Sequence, residues 1–340
     1  MQSNLTDRQK KLLHGIIQHY IETASPVASD VLVENGRLKC SPATVRNEMA
    51  VLDELGYLQQ PHTSAGRIPT DRGYRFYVDG LMHQEPVTHE EKQGIRKGIK
   101  RANGNAFLVF EEVSTVLSKI SRELAIVMTP QISHSVFDRL ELVELNRNKV
   151  LTVIHVRSRL VKTVILEIDV DVQSHDLDNT TRLLNERLSG LTLEEIKKHI
   201  RFRLGDRLGG DRGVLRKVVE SASDLFDFTG PLEVHTSGSQ NIISQPEFTD
   251  KCMLQTIFAF LEDKKGLVNL VRFMDQDPSV AIGTENRDTR LKPFSVVASF
   301  YRMGSNTGVV GIIGPTRMRY GKIMPLVNCI AHTMTEYMST

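Results

Sequence analysis

Tryptophan is absent from these 340 residues, and cysteine occurs three times, at Cys40, Cys252 and Cys329. Three isolated thiols supply neither an even set for a disulfide framework nor the paired spacing of a zinc site. Each reads as a small buried hydrophobe in a reducing, cytoplasmic environment. No apolar run approaches the ~20 residues that a membrane-spanning helix needs, so no membrane partner is expected. The opening MQSNLTDRQKK has no apolar h-region, and no secretory signal is expected there.

Catalytic signatures are missing as well. The eleven histidines are scattered, with no HExxH and no adjacent cysteine ligands. No Ser-His-Asp set or paired carboxylates can be singled out. The Gly-rich run from Gly205 to Gly213 lacks the Walker pattern and reads as an interhelical turn. Gly308, Gly311 and Gly314 are spaced by three, unlike a dinucleotide fingerprint, and read as strand bends. The chain is therefore not expected to be an enzyme, and no cofactor or metal is expected. A composition of 40% hydrophobic and 25% charged residues is that of an ordinary soluble globular protein, and this length suits two or three domains.

What is present is a well-marked helix at 41–55. Ser41 is a strong N-cap, Pro42 suits the first helical position, and Gly56 stops the helix. Val45, Met49, Leu52 and Leu55 share one face at helical spacing. The opposite face carries Ala43, Arg46, Asn47 and Ala50, with Thr44 at its margin. Small residues there permit close approach, and Arg and Asn are the side chains that pair bidentately with guanine and adenine edges. A short strand at Tyr57–Gln60 follows. The loop after it holds prolines at both ends, His62, Thr63 and Ser64, a Gly66 suited to a positive-φ turn, and Arg67 at its tip. Thr70 or Asp71 then caps an element through Tyr74, Phe76, Tyr77 and Leu81. Upstream, Leu5, Leu12, Leu13, Ile16, Ile17, Tyr20 and Ile21 stripe a first helix, capped by Asn4 or Thr6. Val27, Val31 and Leu32 suit a short second helix closed by Asn35-Gly36. This order is that of a winged helix-turn-helix.

One feature opposes DNA binding. Residues 1–80 hold nine basic and nine acidic side chains, whereas a basic domain is the usual electrostatic footprint. The charge is unevenly spread, however: residues 61–77 contain Arg67, Arg72 and Arg75 against Asp71 alone. Specific DNA binding and a protein-binding winged helix both stay open on this chemistry.

Beyond a linker at His83–Thr88 the character changes. Thr88 with Glu91 forms a capping-box pattern before helices at 89–122, broken near Asn103-Gly104-Asn105. Strands are expected at Leu124–Met128, Val136–Leu145, Val150–Val156 and Val161–Val172. Helices follow at 176–227, then strands at Leu232–His235 and Asn241–Ser244. Two helices at Lys251–Leu261 and Gly266–Met274 come next, with strands at Ser279–Gly283, Phe294–Arg302 and Gly308–Ile313 and a closing helix from Gly321 to Tyr337. An α+β domain interrupted by an insertion is the architecture this order suggests. Residues 192–217 carry eight basic and four acidic side chains, including Lys197, Lys198, Arg216 and Lys217; they read as a solvated helix face or a second nucleic-acid surface.

The run SPATVRNEMAVLDELGYLQQPHTSAGRIPTDRGYRFYVD resembles the signature of the HrcA family of heat-inducible transcription repressors. IIGPTRMRY at 312–320 and YIETASPV at 20–27 are further matches, so the resemblance covers nearly the whole chain. It departs at Ala28-Ser29-Asp30, where the family commonly has Gly-Ser and a basic residue. The resemblance implies an α+β multidomain fold with a winged helix-turn-helix at 1–85. It also implies a GAF-like α/β domain at 86–171 and 251–340, and an inserted α+β dimerisation domain at 172–250. It implies a cytoplasmic homodimer that represses chaperone operons, is inactivated by heat, binds a CIRCE-type inverted repeat in double-stranded DNA, and is kept active by a GroEL-type chaperonin. The candidate DNA-contacting residues are Ser41, Ala43, Thr44, Arg46, Asn47, His62, Thr63, Ser64, Arg67 and Arg72. Arg317 and Arg319 are given a structural or interdomain role by the same resemblance. The alternative is a ligand-sensing transcription regulator whose GAF-like domain binds a small metabolite.

Overall fold

In a computed structural model, residues 5–34, 41–61, 66–102, 106–130, 135–157, 161–168, 174–205, 213–227, 234–249, 251–263, 266–267, 269–270, 277–304 and 306–339 are described. The chain is mixed α and β. It opens with helices α1 (Asp7–Thr23), α2 (Ser29–Glu34) and α3 (Pro42–Glu54), a hairpin of β1 (Leu58–Gln59) and β2 (Ile68–Pro69), and helix α4 (Asp71–Gly80). Thr6 caps α1 in a capping box with Gln9, and Thr70 caps α4 by accepting from Gly73 N. Leu12, Leu13, Ile16 and Ile17 of α1 are buried with Val45, Met49 and Leu52 of α3. Each such side chain contributes roughly 1.5–3 kcal/mol by leaving water. Leu55, expected on this buried face, is exposed, because α3 has ended and Leu55 is its C-cap.

The body is built on a five-stranded antiparallel sheet, in the order β7 (Val234–Ser237), β3 (Leu124–Met128), β10 (Asn306–Pro315), β9 (Phe294–Met303), β8 (Ser279–Ile282). All five residues of β3 are buried, because both faces of the sheet are covered. Ala125 and Val127 point into a core with α5 (His89–Arg101), α6 (Ala106–Ser121) and the C-terminal helix Tyr320–Ser339. Leu124, Ile126 and Met128 join Ile257 and Phe260 of α12 (Lys251–Glu262) on the other side.

A second, three-stranded sheet holds β4 (Phe137–Asn146), β5 (Lys149–Val156) and β6 (Val161–Glu167). Helices α7 (Ser174–Leu188), α8 (Leu193–Leu204), α9 (Val214–Glu220) and α10 (Ala222–Leu225) follow it. Asn185 of α7 accepts from Leu140 N at 2.7 Å and donates to Leu140 O at 3.0 Å, pinning helix to strand. Lys162 donates to the carbonyls of Asp224 and Asp227, and Phe137 meets Phe226 edge-on at 6.0 Å.

This pairing departs from the expected boundary of the insert. Strands β4–β6, expected within 86–171, hydrogen-bond only to one another among the described strands and pack with the helices that follow. Strand β7, expected inside 172–250, pairs with β3 of the main sheet, Ala125 opposite Ser237 and Met128 opposite Val234. Strand propensity marks where a strand lies and is silent on which distant strand completes it. Asn241–Ser244, expected as a strand, lies instead in and at the end of helix α11 (Ser239–Ile243). Asn241 there turns inward to donate to Ser118 Oγ and the Glu123 carbonyl at 3.0 and 3.1 Å, a partnership that overrides local strand preference. The expected helix at Gly266–Met274 lies largely outside the described residues, as does the Gly205–Gly213 turn between its two ends. No helix among the described residues is long and apolar enough to cross a membrane.

Candidate nucleic-acid interface

Helix α3 starts where its chemistry dictates. Ser41 has extended backbone, and its Oγ accepts from Thr44 N at 3.2 Å. The two hydroxyls also meet at 2.9 Å, so Ser41 and Thr44 begin the helix as a mutually satisfied pair. Val45, Met49 and Leu52 are buried. Ala43, Arg46, Asn47 and Ala50 are exposed, and Thr44 is half-buried between the two faces. Arg8 of α1 pairs with Glu48, and Gln9 donates to the same carboxylate at 2.9 Å. The helix is thus fixed along its inner face and flank while the Arg46–Asn47 face stays open.

The hairpin beside α3 carries a third strand segment. Val27 and Arg67 exchange backbone hydrogen bonds, both 2.9 Å, so the chain before α2 lies against the end of the loop. Arg67 therefore sits at the base of the hairpin, not at its tip. Its Nε lies 2.8 Å from Asp53 Oδ2 on α3, an ion pair rather than an aligned hydrogen bond. Gly66, expected to supply a positive-φ turn, is required for a different reason: a Cβ there would overlap the Val27 carbonyl. Arg72 is exposed and its guanidinium stacks 4.8 Å over the Tyr57 ring. His62, Thr63 and Ser64 lie outside the described residues.

Arg75, which the sequence groups with the basic stretch, faces the body instead. It donates to Glu285 and, at 2.7 Å, to the Val280 carbonyl. Two partnerships are invisible in the sequence. Asp53 stands on a segment apart from the loop, yet it holds Arg67. Arg317 donates to Gln245 at 2.7 Å, to Glu247, and to the Ile21 carbonyl at the end of α1. No local signal names such partners; only the GPTRMRY motif hints at an interdomain role. On α8, Lys197 pairs with Asp227 and Lys198 with Glu194, so these two basic side chains of the 192–217 stretch have acidic partners. Among the described residues no cluster of His, Cys, Asp or Glu could hold a metal ion.

Comparison with known proteins gives a consistent result. Residues 108–324 match the model of the HrcA protein C terminal domain. The heat-inducible transcription repressor HrcA of Chlorobium phaeobacteroides (strain BS1) is 38% identical, over 99% of each chain. That of Chlorobaculum tepidum is 39% identical, over 99% of this chain and 98% of its own. A crystal structure of a hypothetical protein, 25% identical, superimposes with a TM-score of 0.66 over 99% of both chains, the same mixed α and β architecture. The chain is thus placed among transcription repressors and not among enzymes. It belongs to the HrcA family.

Proposed function

We propose that residues 1–85 form a winged helix-turn-helix that reads a CIRCE-type inverted repeat, and that the chain acts as a cytoplasmic, homodimeric repressor of chaperone operons. The carrying observation is the exposed Ala43-Arg46-Asn47-Ala50 face on a helix whose other side is locked by Val45, Met49, Leu52 and Glu48. Such a helix can enter a major groove with two side chains aimed at base edges. Arg46 and Asn47 read bases; Ser41, Ala43 and Thr44 pack against the groove wall. Arg72, with His62, Thr63 and Ser64, meets phosphates or the minor groove. Arg67 serves differently from expectation: tied to Asp53, it holds the wing to α3 and adds its charge from the base.

The five-stranded sheet with helices on both faces supports a GAF-like body. The self-contained sheet and helices from β4 to α10 support an insert at about residues 135–227, in place of 172–250, and this is the body we assign to dimerisation. Two-fold symmetry then matches the two-fold repeat of the operator. Heat acts through loss of folded repressor, and a GroEL-type chaperonin restores it. The test is operator binding against a scrambled duplex of equal length at fixed salt. Tighter binding to the repeat by a hundredfold or more supports the reading; equal binding removes it.

One observation favours a second reading, a metabolite sensor. A cleft of about 370 Å³ is lined by Asp263, Asn286, Arg287, Asp288 and Arg290 among others. Asn286 is itself buried, and its Oδ1 has no hydrogen-bond partner. A ligand filling this cleft would raise the thermal midpoint, and a metabolite screen that produces no shift removes this alternative.

A further inference from the structure

The reader is bolted to the body at several points. Asp71, the first residue of α4, accepts from both Thr284 N and Thr284 Oγ1 at 2.8 Å. Arg75, one turn on, grips Glu285 through two nitrogens and donates to the Val280 carbonyl at 2.7 Å. At the other end of the reader, Arg317 donates to the Ile21 carbonyl while Glu247 and Gln245 hold its guanidinium. Between these points Tyr74 packs on Tyr320 with ring centroids 6.1 Å apart, and Glu85 N donates to Gly321 O at 2.8 Å. Gly283 has φ +53°, and a Cβ there would overlap the Asp71 carboxylate. The close fit is therefore built into the backbone as well as the side chains.

A reader that only needed tethering would require the 82–88 connection alone. Contacts made by α1 and α4, on both sides of the reader, fix its attitude as well as its distance. None of these side chains lies on the exposed face of α3. We propose that Asp71, Arg75 and Arg317 are positioning residues that fix the attitude of each reader on its body, and so determine which half-site spacing the dimer accepts. This rests on the DNA-binding, dimeric reading above. Rigid readers carried on a symmetric body can meet both half-sites only at one separation and rotational phase, because half-site spacing mirrors protein geometry. Loosely held readers would accept several.

The experiment uses the full chain, its R75A and G283A variants, and three kinds of duplex: a single half-site, the natural inverted repeat, and repeats with spacers lengthened or shortened. A change of about 5 base pairs turns one half-site to the opposite side of the helix. The parent should lose at least tenfold in affinity on the dephased repeats. Both variants should bind the single half-site within about twofold of the parent, yet lose less than threefold on dephasing and bind the natural repeat more weakly. R75A removes the grip and G283A wedges the same contact from the other side, so one folded variant suffices. Thermal unfolding of each variant identifies any that does not fold. Variants that keep the parent's full spacing dependence overturn the proposal alone. Variants that bind every repeat more tightly than the parent also overturn it, because the contacts would then restrain the reader rather than register it. A parent that fails to distinguish the natural repeat from scrambled DNA overturns the DNA-binding reading, and this proposal with it.

Discussion

Replacing Asn47 by Ala separates base reading from every structural explanation. Asn47 is exposed on α3, with its buried neighbours Val45, Met49 and Leu52 on the other side. Surface substitutions of this kind change stability by about 0.5 kcal/mol or less. Ala is also the better helix former, so the variant should be as stable as the parent or more so, by roughly 0.5 kcal/mol. A bidentate contact to a base edge is worth about 1–3 kcal/mol. In the proposed dimer, with one copy of α3 on each half of the palindrome, the loss should be about 2–6 kcal/mol, or about thirtyfold to 10⁴-fold in affinity. Fluorescence anisotropy on the inverted repeat and on a scrambled duplex, at one salt concentration, reads both numbers. The loss should fall on the repeat alone, and substitution of the base facing Asn47 should no longer matter. Equal losses on both duplexes, with an unchanged thermal midpoint, would falsify the assignment of this face.

Arg72→Ala should weaken operator and scrambled DNA alike and reduce the salt slope by roughly one counterion for each phosphate it no longer neutralises; a loss confined to the operator would make Arg72 a base reader. Excising residues 135–227 with a short linker spares all five strands of the main sheet and should leave a monomer in sedimentation, whereas a persisting dimer refutes the assigned interface. Glu123 is pushed up to about 8, chiefly by burial, with Arg317 opposing and Glu247 adding to the rise. The folded state thus holds the proton more tightly than the unfolded one. Its contribution is fully present below about pH 4.5 and is lost as pH rises towards 8. Glu123→Gln should remove that decline in a urea-unfolding series, and an unchanged pH dependence would count against it. After a heat pulse, operator binding should not return on cooling alone but should return in part when chaperonin is present. Apolar strands such as β5 are exposed in the unfolded chain, and aggregation removes that fraction; full spontaneous recovery would favour a reversible switch.

Local chemistry makes much of this fold legible. Thr6, Ser41, Thr70 and Thr88 each cap a helix with their own hydroxyl, and the partner lies three residues away. The inner face of α3 is legible for the same reason, since burial at 45, 49 and 52 follows helical spacing. Partnerships at a distance are not. Nothing near Val234 announces that it pairs with Met128, and nothing near Arg67 or Arg75 announces Asp53 or Glu285. An arginine in a loop reads as a phosphate contact until its carboxylate arrives from elsewhere in the chain. Gly66 shows the same limit: the sequence suggests a positive-φ turn there, whereas the Val27 carbonyl that leaves no room for a Cβ is not legible.

The edge-on contact of Phe137 with Phe226 brings the entrance and exit of the β4–α10 body together. Without that body folded, pairing Met128 with Val234 means closing a loop of about a hundred residues, which costs on the order of 4 kcal/mol of chain entropy. With it folded, the path from Met128 through Phe137 and Phe226 to Val234 is effectively under about twenty residues, and the cost falls by roughly 1.5 kcal/mol. The last strand of the main sheet is therefore stabilised by a body with which it shares no hydrogen-bonded strand. Whatever keeps that body folded strengthens the main sheet, and whatever melts it loosens that sheet at β7 first.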